Sequence, residues 1–266
     1  MLKISSRDNQ RIKQARKVRD SLIKDQIFVE GLRLAEEVLR SNLKILDVYF
    51  TENFSQSGRG QEFLRTIENF NPTEVSEKIF HSLSDTKNSQ GIVLICEKPE
   101  TNKEKIETAL KKESQKILLV VLLHQINNPT NQGAILRTCE AVGVSGVILT
   151  KNSTDIFSPK ALRGAMGASF RLPIWADADF FEAINWAKGE NLTSVCADVN
   201  AKKSYLEIDW TKPRLLVFGS EAHGLNSEER NAIEESLIIP MENQVESLNL
   251  AVSCGVILYE AKRQRR

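Results

Sequence analysis

The feature that most constrains the fold is a regular alternation of short apolar runs and amphipathic segments in the second half of the chain. The apolar runs predict strands at 117–123, 146–150, 194–199, 215–218 and 237–239. Helical spacing predicts helices between or after them at 133–142, 160–167, 180–187, 227–235 and 248–263. Apolar strands separated by helices are typical of α/β proteins with a mostly parallel sheet and helices on both faces. Such sheets bind ligands in the loops that follow the carboxyl ends of their strands.

The first part of the chain predicts a smaller α/β unit. Its expected elements are two helices, two strands and a polar, glycine-containing loop, at 12–22, 32–39, 46–50, 91–96 and 55–60 respectively. From residue 98 to 116 the chain is highly charged, with Ile106 and Leu110 as its main apolar anchors. We therefore predict a first domain at 1–98, a charged and partly helical linker at 99–116 and a second domain at 117–266.

The net charge of the chain conceals two basic ends. The chain holds 36 basic and 35 acidic residues, a formal net charge of +1. Residues 1–25 carry eight basic and three acidic side chains, and the last seven residues carry four and one. Basic ends can contact the phosphates of a nucleic acid, although a solvated helix face and a frayed tail explain the same charges. The near-neutral total therefore does not exclude a nucleic-acid partner.

The sequence disfavours a membrane protein, a secreted protein and a metal site. The longest aliphatic run, 117–123, is far shorter than the ~20 residues of a spanning helix, and the polar N-terminus lacks the apolar segment of a signal peptide. The four cysteines form no Cys-x-x-Cys pair, so we expect them to be reduced and mostly buried. The three histidines form no ligand pair. We expect a cytoplasmic protein without a metal ion.

Several familiar motifs are missing from the sequence. It contains neither the Gly-x-Gly-x-x-Gly fingerprint of dinucleotide-binding folds nor the phosphate-binding P-loop motif. It also lacks the Gly-x-Ser-x-Gly motif of acyl-transfer enzymes. These absences count against three common functions of α/β proteins.

The loop after the first strand of the second domain is polar and precedes a helix. Its sequence, NNPTNQGAILRT, covers 127–138. We expect Pro129 to delay the start of the helix, Asn131 to cap it, and Arg137 to lie in its first or second turn. An ordinary capped helix with a solvated arginine explains this loop equally well.

Two further polar loops follow the later strands. The sequence GSEAHGL at 219–225 places Glu221 after Gly219, which can admit a flat ligand or form a tight turn. The sequence PMENQVESLNLAVS at 240–253 contains Ser247 and Asn249, with Ser247 as the expected helix N-cap. Because the carboxyl ends of parallel strands lie at one edge of the sheet, the three loops predict a shared site.

These loops resemble the three signatures of the SpoU (TrmH-type) RNA ribose 2′-O-methyltransferases of the SPOUT superfamily. NPTNQGAILRT is similar to the first signature, LLVFGSEAHGL to the second, and IPMENQVESLNLAVSCGVILYEAKRQR to the third. In the first domain, FVEGLRLAEEVL and SDTKNSQGIVLI resemble the RNA substrate-binding domain of the family. The resemblance therefore covers nearly the whole chain.

The resemblance implies a fold, a cofactor, partners and a set of site residues. The second domain would contain a deep trefoil knot, bind S-adenosylmethionine and form a homodimer with the active site near the subunit interface. The substrate would be RNA, with ribosomal RNA favoured by the type of first domain. The residues that match cofactor-binding positions are Gly219, Ile239 and Leu248, and those that match the catalytic set are Asn131, Arg137, Glu221, Ser247 and Asn249.

The chemistry of the matched residues indicates which roles they can have in the reaction. Arg137 matches the residue often proposed as the base, but an arginine side chain stays protonated in proteins and is therefore a poor base. We expect Arg137 to hold an RNA phosphate or the developing alkoxide, and the amides of Asn131 and Asn249 to orient the reactants. Two places depart from the family: Asn128 replaces an aspartate before the proline, and Ala222 follows Glu221 where glycine is frequent, which makes His223 an atypical polar neighbour.

Three other functions remain open from the sequence. The chain could methylate transfer RNA, or it could be a non-catalytic RNA-binding or ribosome-assembly factor that keeps the fold. The complete catalytic set argues for activity. A small-molecule methyltransferase would have little need for residues 1–98.

Overall fold

The computed structural model of the protein describes residues 2–4, 6–112, 117–243 and 245–265. The chain forms two compact units. The first comprises Met1–Pro99 and Ile156–Phe170, and the second comprises Glu100–Asp155 and Arg171–Arg266. The segment Ile156–Phe170, which the sequence places inside the second domain, thus packs with the first unit.

The strands and helices follow one another along both units. Strands β1 to β11 span Leu2–Ile4, Gln26–Glu30, Ile45–Phe50, Thr73–Val75, Ile92–Glu97, Leu119–Leu123, Gly146–Thr150, Ile174–Ala178, Thr193–Ala197, Arg214–Phe218 and Glu235–Leu237. Helices α1 to α12 span Gln10–Arg19, Leu32–Arg40, Glu52–Gln56, Gly58–Thr66, Glu77–Leu83, Lys103–Lys112, Pro129–Val142, Pro159–Ala165, Ala168–Arg171, Phe180–Gly189, Ser227–Asn231 and Leu250–Gln264. Two 3₁₀ turns lie at Glu68–Phe70 and Tyr205–Glu207.

The first unit contains a mixed sheet with the strand order β1-β4-β3-β5-β2. Strand β4 is parallel to β1 and β3, whereas β5 is antiparallel to β3 and β2. Apolar residues of α1 and α5, such as Ile12 and Phe80, pack with Phe28 and Tyr49 of the sheet in one buried cluster. Helix α8 packs against β2.

The second unit contains a sheet with the strand order β11-β9-β10-β6-β7-β8, and its paired strands are parallel. Strands β6 and β10 lie at its centre, so the loops after them meet at one edge. Val120 and Leu122 of β6 pack with Ile106 of α6 and Ile184 of α10. Val121 points to the opposite face of the pleated strand and is fully buried too, so both faces of the sheet are covered. The predicted α/β fold is confirmed; the trefoil knot stays a prediction.

The structure differs from the sequence-based expectation at several elements, among them β1, β2, β4 and α5 of the first unit, which the sequence did not indicate. The segment 55–60, expected as a loop, lies within α3 and α4, because the side chains of Thr51 and Ser57 cap these helices and favour their start. Strand β8 was not expected, since its sequence IWADA is short and becomes polar towards its end. The charged segment 99–116 contains helix α6, in agreement with the prediction of a partly helical linker, and its apolar anchors Ile106 and Leu110 are buried in the core of the second unit.

Candidate functional site

A cavity of about 690 Å³ opens at the carboxyl edge of the second sheet. Residues that follow β9, β10 and β11 line it together with the first residues of α12 and one residue of α7. The predicted site residues in its lining are Asn131, Gly219, Glu221, Ile239, Ser247, Leu248 and Asn249. The structure therefore brings together loops that are far apart in the sequence, at the edge where ligands of parallel sheets bind.

The helix that carries Asn131 begins earlier than the sequence indicates. Asn128 is its N-cap and accepts a hydrogen bond from the backbone N–H of Thr130 at 2.9 Å, with Pro129 as the first helical residue. The expectation that Pro129 delays the helix and that Asn131 caps it is wrong, because proline has a suitable φ and needs no N–H at the first helical position. Asn131 instead lies in the first turn, where its side chain reaches the cavity.

Three polar side chains from three loops form one hydrogen-bonded chain at the cavity. Asn131 Nδ2 donates to Glu221 Oε1, and Asn249 Nδ2 donates to Asn131 Oδ1 at 3.1 Å. The backbone N–H of Asn128 donates to Glu221 Oε2 at 3.1 Å. Both amides are thus fixed in orientation, because each amide nitrogen faces an acceptor oxygen. Hydrogen bonds therefore connect Asn131, Glu221 and Asn249, three of the residues that the resemblance assigns to the catalytic set.

The third loop enters α12 through Asn249. Its Oδ1 accepts hydrogen bonds from the backbone N–H groups of Ala251 at 2.9 Å and Val252 at 3.3 Å. Asn249 is therefore the N-cap, and the expectation that Ser247 caps this helix is wrong; both residue types are good caps, so the sequence does not distinguish them. Ser247 is exposed in the cavity lining, which leaves its hydroxyl available to a ligand.

The loop after β10 explains why position 219 is a glycine. Ser220 and Gly224 exchange backbone hydrogen bonds of 3.0 and 2.9 Å across a tight turn. A Cβ atom at Gly219 would lie 2.4 Å from the carbonyl carbon of Gly224. Of the two sequence-based explanations for Gly219, the turn is the one that requires a glycine. The turn holds Glu221 at the cavity, and His223 is exposed beside it.

The cavity combines apolar walls with an excess of acidic groups. Apolar lining comes from residues such as Phe218, Leu237, Ile239 and Leu248. Its acidic side chains are Asp198, Glu221 and Glu246. Among the described residues of the lining, Arg230 is the one lysine or arginine side chain. Sequence reasoning did not select Asp198 and Arg230. Asp198 is an acidic residue near the end of the predicted strand 194–199, at the ligand-binding edge, which is a signal that could have identified it.

Arg137 lies outside the lining of this cavity. It is six positions after Asn131 on α7, which places it about 9 Å further along the helix axis and about 120° around it. Its side chain is exposed and makes no ion pair or hydrogen bond with the described residues. The structure thus leaves Arg137 free to meet a ligand or a second chain outside the cavity.

The basic ends are largely engaged within the protein. Ion pairs or hydrogen bonds in the first unit connect Lys3 to Glu74, Arg7 to Lys78, Arg11 to Asp47, Lys13 to Asp8, Arg16 to Ser82, and Arg19 to Asp20 and Ser82. At the other end, Lys262 donates to the carbonyl of Ala141 at 2.8 Å. Much of the charge that indicated phosphate contacts therefore has a structural partner.

Arg265 has a particularly dense set of contacts. Its guanidinium donates to the backbone carbonyls of Trp210 at 2.6 Å, Ile117 at 2.9 Å, Lys212 at 3.0 Å and Leu118 at 3.2 Å. Burial and the nearby Arg214 lower the pKa of Arg265 to about 10, so the group stays charged at neutral pH. Arg265 fastens the end of α12 to the start of the central strands and is a structural residue in the second unit.

The structure bears on the other expectations from composition. Cys96, Cys139, Cys196 and Cys254 are free and buried, as predicted. In the described ranges, no helix is long and apolar enough to cross a membrane. The same residues contain no group of histidine, cysteine, aspartate and glutamate side chains that could hold a metal ion.

The fold and the cavity define a class of protein. A parallel α/β sheet with a ligand-sized cavity at its carboxyl edge, lined by apolar residues and a few fixed polar side chains, is typical of a protein that binds a small ligand there. Family models make the class specific: the SpoU rRNA methylase family matches residues 118–259, and RNA 2′-O ribose methyltransferase substrate binding matches residues 28–102.

Named relatives and a solved structure agree with the family models. The chain is 34% identical to the 23S rRNA guanosine 2′-O-methyltransferase RlmB of Coxiella burnetii over 72% of this chain and 76% of the relative. It is 26% identical to the 23S rRNA guanosine 2′-O-methyltransferase RlmP of Bacillus subtilis over 98% of this chain and 100% of the relative. The AdoMet-bound rRNA methyltransferase of Sinorhizobium meliloti has 26% identity and a TM-score of 0.84, covering 98% of this chain and 97% of that one.

The chain belongs to the SpoU methylase family and is an RNA 2′-O-methyltransferase. The family and the enzyme class predicted from the three signatures are confirmed. The ligand of the Sinorhizobium meliloti enzyme, S-adenosylmethionine, is the predicted cofactor.

Proposed function

We propose that this enzyme transfers the methyl group of S-adenosylmethionine to a ribose 2′-hydroxyl of ribosomal RNA. The observation that carries the reaction is the hydrogen-bonded chain of Glu221, Asn131 and Asn249 at the edge of the cavity. Ribosomal RNA is supported by the relatives RlmB and RlmP, whose names give 23S rRNA as their substrate. A cytoplasmic location fits such a substrate.

The residues of the cavity fit the cofactor in size and charge. S-adenosylmethionine carries a sulfonium, an ammonium and a carboxylate, a net charge of +1, and the acidic lining of Asp198, Glu221 and Glu246 is complementary to that charge. The cavity volume of about 690 Å³ is in the range of cofactor sites. Gly219, Ile239 and Leu248 would contact the cofactor mainly through backbone groups. When bound, the cofactor supplies a methyl group made electrophilic by the positive sulfur.

The polar residues would align the ribose and favour loss of its proton. Glu221 holds the Asn131 amide, and Asn131 in turn holds Asn249, so the two amides are preorganised and need no reordering when the substrate arrives. The exposed hydroxyl of Ser247 adds a further donor or acceptor. Arg137, exposed and without a partner among the described residues, would hold an RNA phosphate or the developing alkoxide.

A homodimer is supported by the outer face of α12. Val252 and Tyr259 are 52% and 56% exposed on this helix, which otherwise packs against α7. Gly255 lies between them, and nothing is within 4 Å of the place where its Cβ would be. A glycine inside a helix costs about 1 kcal/mol relative to alanine, and close approach of a second helix would explain its presence. Self-association through this face would bring a partner chain beside α7, which carries Arg137.

Comparing RNA from cells with and without the gene tests the substrate. Ribose methylation is mapped across ribosomal and transfer RNA, and the deletion strain is complemented with the wild-type gene or with Asn131→Asp. We expect one or a few ribosomal sites to lose methylation on deletion and to regain it with the wild-type gene only. Loss confined to transfer RNA would contradict the ribosomal assignment, and restoration by the Asn131→Asp variant would contradict the catalytic site.

A further inference from the structure

An ion pair lies in the cavity lining apart from the hydrogen-bonded catalytic chain. Arg230 of α11 donates through Nε to Asp198 Oδ2 at 3.2 Å, and the backbone N–H of Asn200 donates to Asp198 Oδ1 at 2.8 Å. The two side chains are 32% and 25% exposed, so they are partly shielded but accessible from the cavity. The pair connects the loop after β9 to the helix that follows the Glu221 loop.

The pair has unused hydrogen-bonding capacity. Arginine has five N–H donors, and only the Nε group of Arg230 is engaged by the residues that the structure describes. Its two terminal nitrogens therefore have no partner in that part of the chain. Each oxygen of Asp198 accepts one hydrogen bond and can accept another. The pair is thus oriented by protein contacts, lines the cavity and keeps hydrogen-bonding capacity among the described residues.

The arrangement matches a zwitterion that carries a carboxylate and an ammonium close together. Guanidinium groups bind carboxylates through paired N–H donors, and a carboxylate with free lone pairs accepts from an ammonium. Arg230 is the one lysine or arginine side chain among the described lining residues, so it is the expected partner of a ligand carboxylate. Asp198 is in direct contact with Arg230, so it can accept from an ammonium that lies close to the ligand carboxylate.

We propose that Arg230 and Asp198 bind the α-amino-acid end of the cofactor, with Arg230 on its carboxylate and Asp198 on its ammonium. The inference rests on the cavity being the S-adenosylmethionine site. It makes the pair a specificity determinant, because nucleosides without an amino-acid end would lack these contacts. It also assigns separate parts of one cavity to cofactor recognition and to orientation of the substrate.

Binding calorimetry with two ligands tests the proposal without any turnover. S-adenosylhomocysteine has the amino-acid end, and 5′-methylthioadenosine keeps the thioether nucleoside but lacks that end. The wild-type protein is compared with Arg230→Ala and with Arg230→Gln, whose amide can still donate to Asp198. Lys203→Ala is the matched control, because Lys203 forms a comparable ion pair with Glu235 at 2.9 Å outside the cavity lining.

We expect both Arg230 variants to weaken S-adenosylhomocysteine binding by about 10- to 100-fold, the loss expected for hydrogen bonds between charged groups. Binding of 5′-methylthioadenosine should change less than twofold, and Lys203→Ala should affect neither ligand. Equal weakening of both ligands by Arg230→Gln would mean that the pair only shapes the cavity, and no weakening would mean that it does not contact the cofactor; either result overturns the proposal. If the wild-type protein binds neither ligand, the cofactor assignment of the cavity fails as well.

Discussion

Exchanging the two partners of the Asn131–Glu221 hydrogen bond distinguishes their mutual contact from the charge of either residue. The single substitution Asn131→Asp replaces an amide donor with a carboxylate that faces Glu221. It removes a hydrogen bond to a charged acceptor, worth about 1.5–3 kcal/mol. It also places two carboxylates about 4 Å apart, which repel by about 1 kcal/mol in a well-solvated site. The combined loss of about 2.5–4 kcal/mol corresponds to a roughly 10²–10³-fold fall in kcat/KM.

The double substitution Asn131→Asp with Glu221→Gln should restore the contact in reversed direction. The new amide at position 221 can donate to the new carboxylate at position 131, and its carbonyl can still accept the N–H of Asn128. The carboxylate at position 131 can still accept from Asn249. Because the net charge and the chain of contacts are kept, we expect the double variant to recover to within about tenfold of the wild-type kcat/KM.

The assay measures transfer of labelled methyl groups to RNA at varied concentrations of S-adenosylmethionine and RNA, for the wild type, both single variants and the double variant. Thermal unfolding of each protein controls for a loss of folding. A double variant no more active than Asn131→Asp would refute the reasoning, because the charge of Glu221 would then be needed for itself and not for holding Asn131. The decisive quantity is the coupling free energy, which is the effect of the double substitution on kcat/KM minus the sum of the two single effects.

Three further predictions concern residues outside the hydrogen-bonded chain. Arg137→Ala should lower methyl transfer by orders of magnitude while changing the Kd for S-adenosylmethionine less than threefold, since Arg137 lies outside the cavity lining; unchanged transfer would contradict its role. Arg265→Ala should lower the free energy of unfolding, measured in urea, by about 2–4 kcal/mol, because several backbone carbonyls lose a donor. A change below about 0.5 kcal/mol, the usual size for a surface substitution, would show that these hydrogen bonds do not stabilise the fold. Burial lowers the pKa of His124 below its ordinary 6.5, although the nearby Glu229 has the opposite effect. The folded state therefore binds this proton less tightly than the unfolded state does. The free energy of unfolding should fall as the pH drops below about 6.5. His124→Gln should make that fall shallower, and an identical pH dependence in this variant would assign the effect to other groups.

The parallel sheet could be predicted because its signal is local and repeated. Strand β7 matches the predicted range 146–150, and β6, β9 and β10 lie within two residues of theirs. A strand that is buried on both faces of a parallel sheet has a continuous apolar sequence, so it can be recognised without knowing which strands it pairs with. Strand β8 lacks such a run, and its pairing with β7 provides the interactions that the sequence does not indicate.

The site was predictable to the level of its loops and not to the level of individual contacts. Asn131 and Glu221 are 90 residues apart, and no local pattern indicates that they share a hydrogen bond. The same holds for Arg230 and Asp198, 32 residues apart. Arg137 matches a signature as well as Asn131 does, but the helical rotation between them takes it out of the cavity lining.

The charged ends show where composition misleads. Their excess of lysine and arginine indicates a surface for phosphates, yet the Arg265 guanidinium binds backbone carbonyls of its own unit. The net charge of a segment gives the excess of basic over acidic side chains, but it does not show which of the basic side chains already have a partner. A phosphate-binding surface therefore has to be identified from unpaired cations, and Arg137 is one of them among the described residues.

The most direct test of the central claim asks which atom of the RNA receives the methyl group. Ribosomal RNA is incubated with the protein and methyl-labelled S-adenosylmethionine and is then digested with alkali, which cleaves RNA through the 2′-hydroxyl. A methylated 2′-oxygen cannot attack the neighbouring phosphate, so we expect the label in alkali-resistant dinucleotides. Asn131→Asp should reduce this label about 10²–10³-fold, because it removes the hydrogen bond to Glu221 and adds a repulsive carboxylate. Label recovered in alkali-sensitive mononucleotides would place the methyl group on a base and would contradict the account.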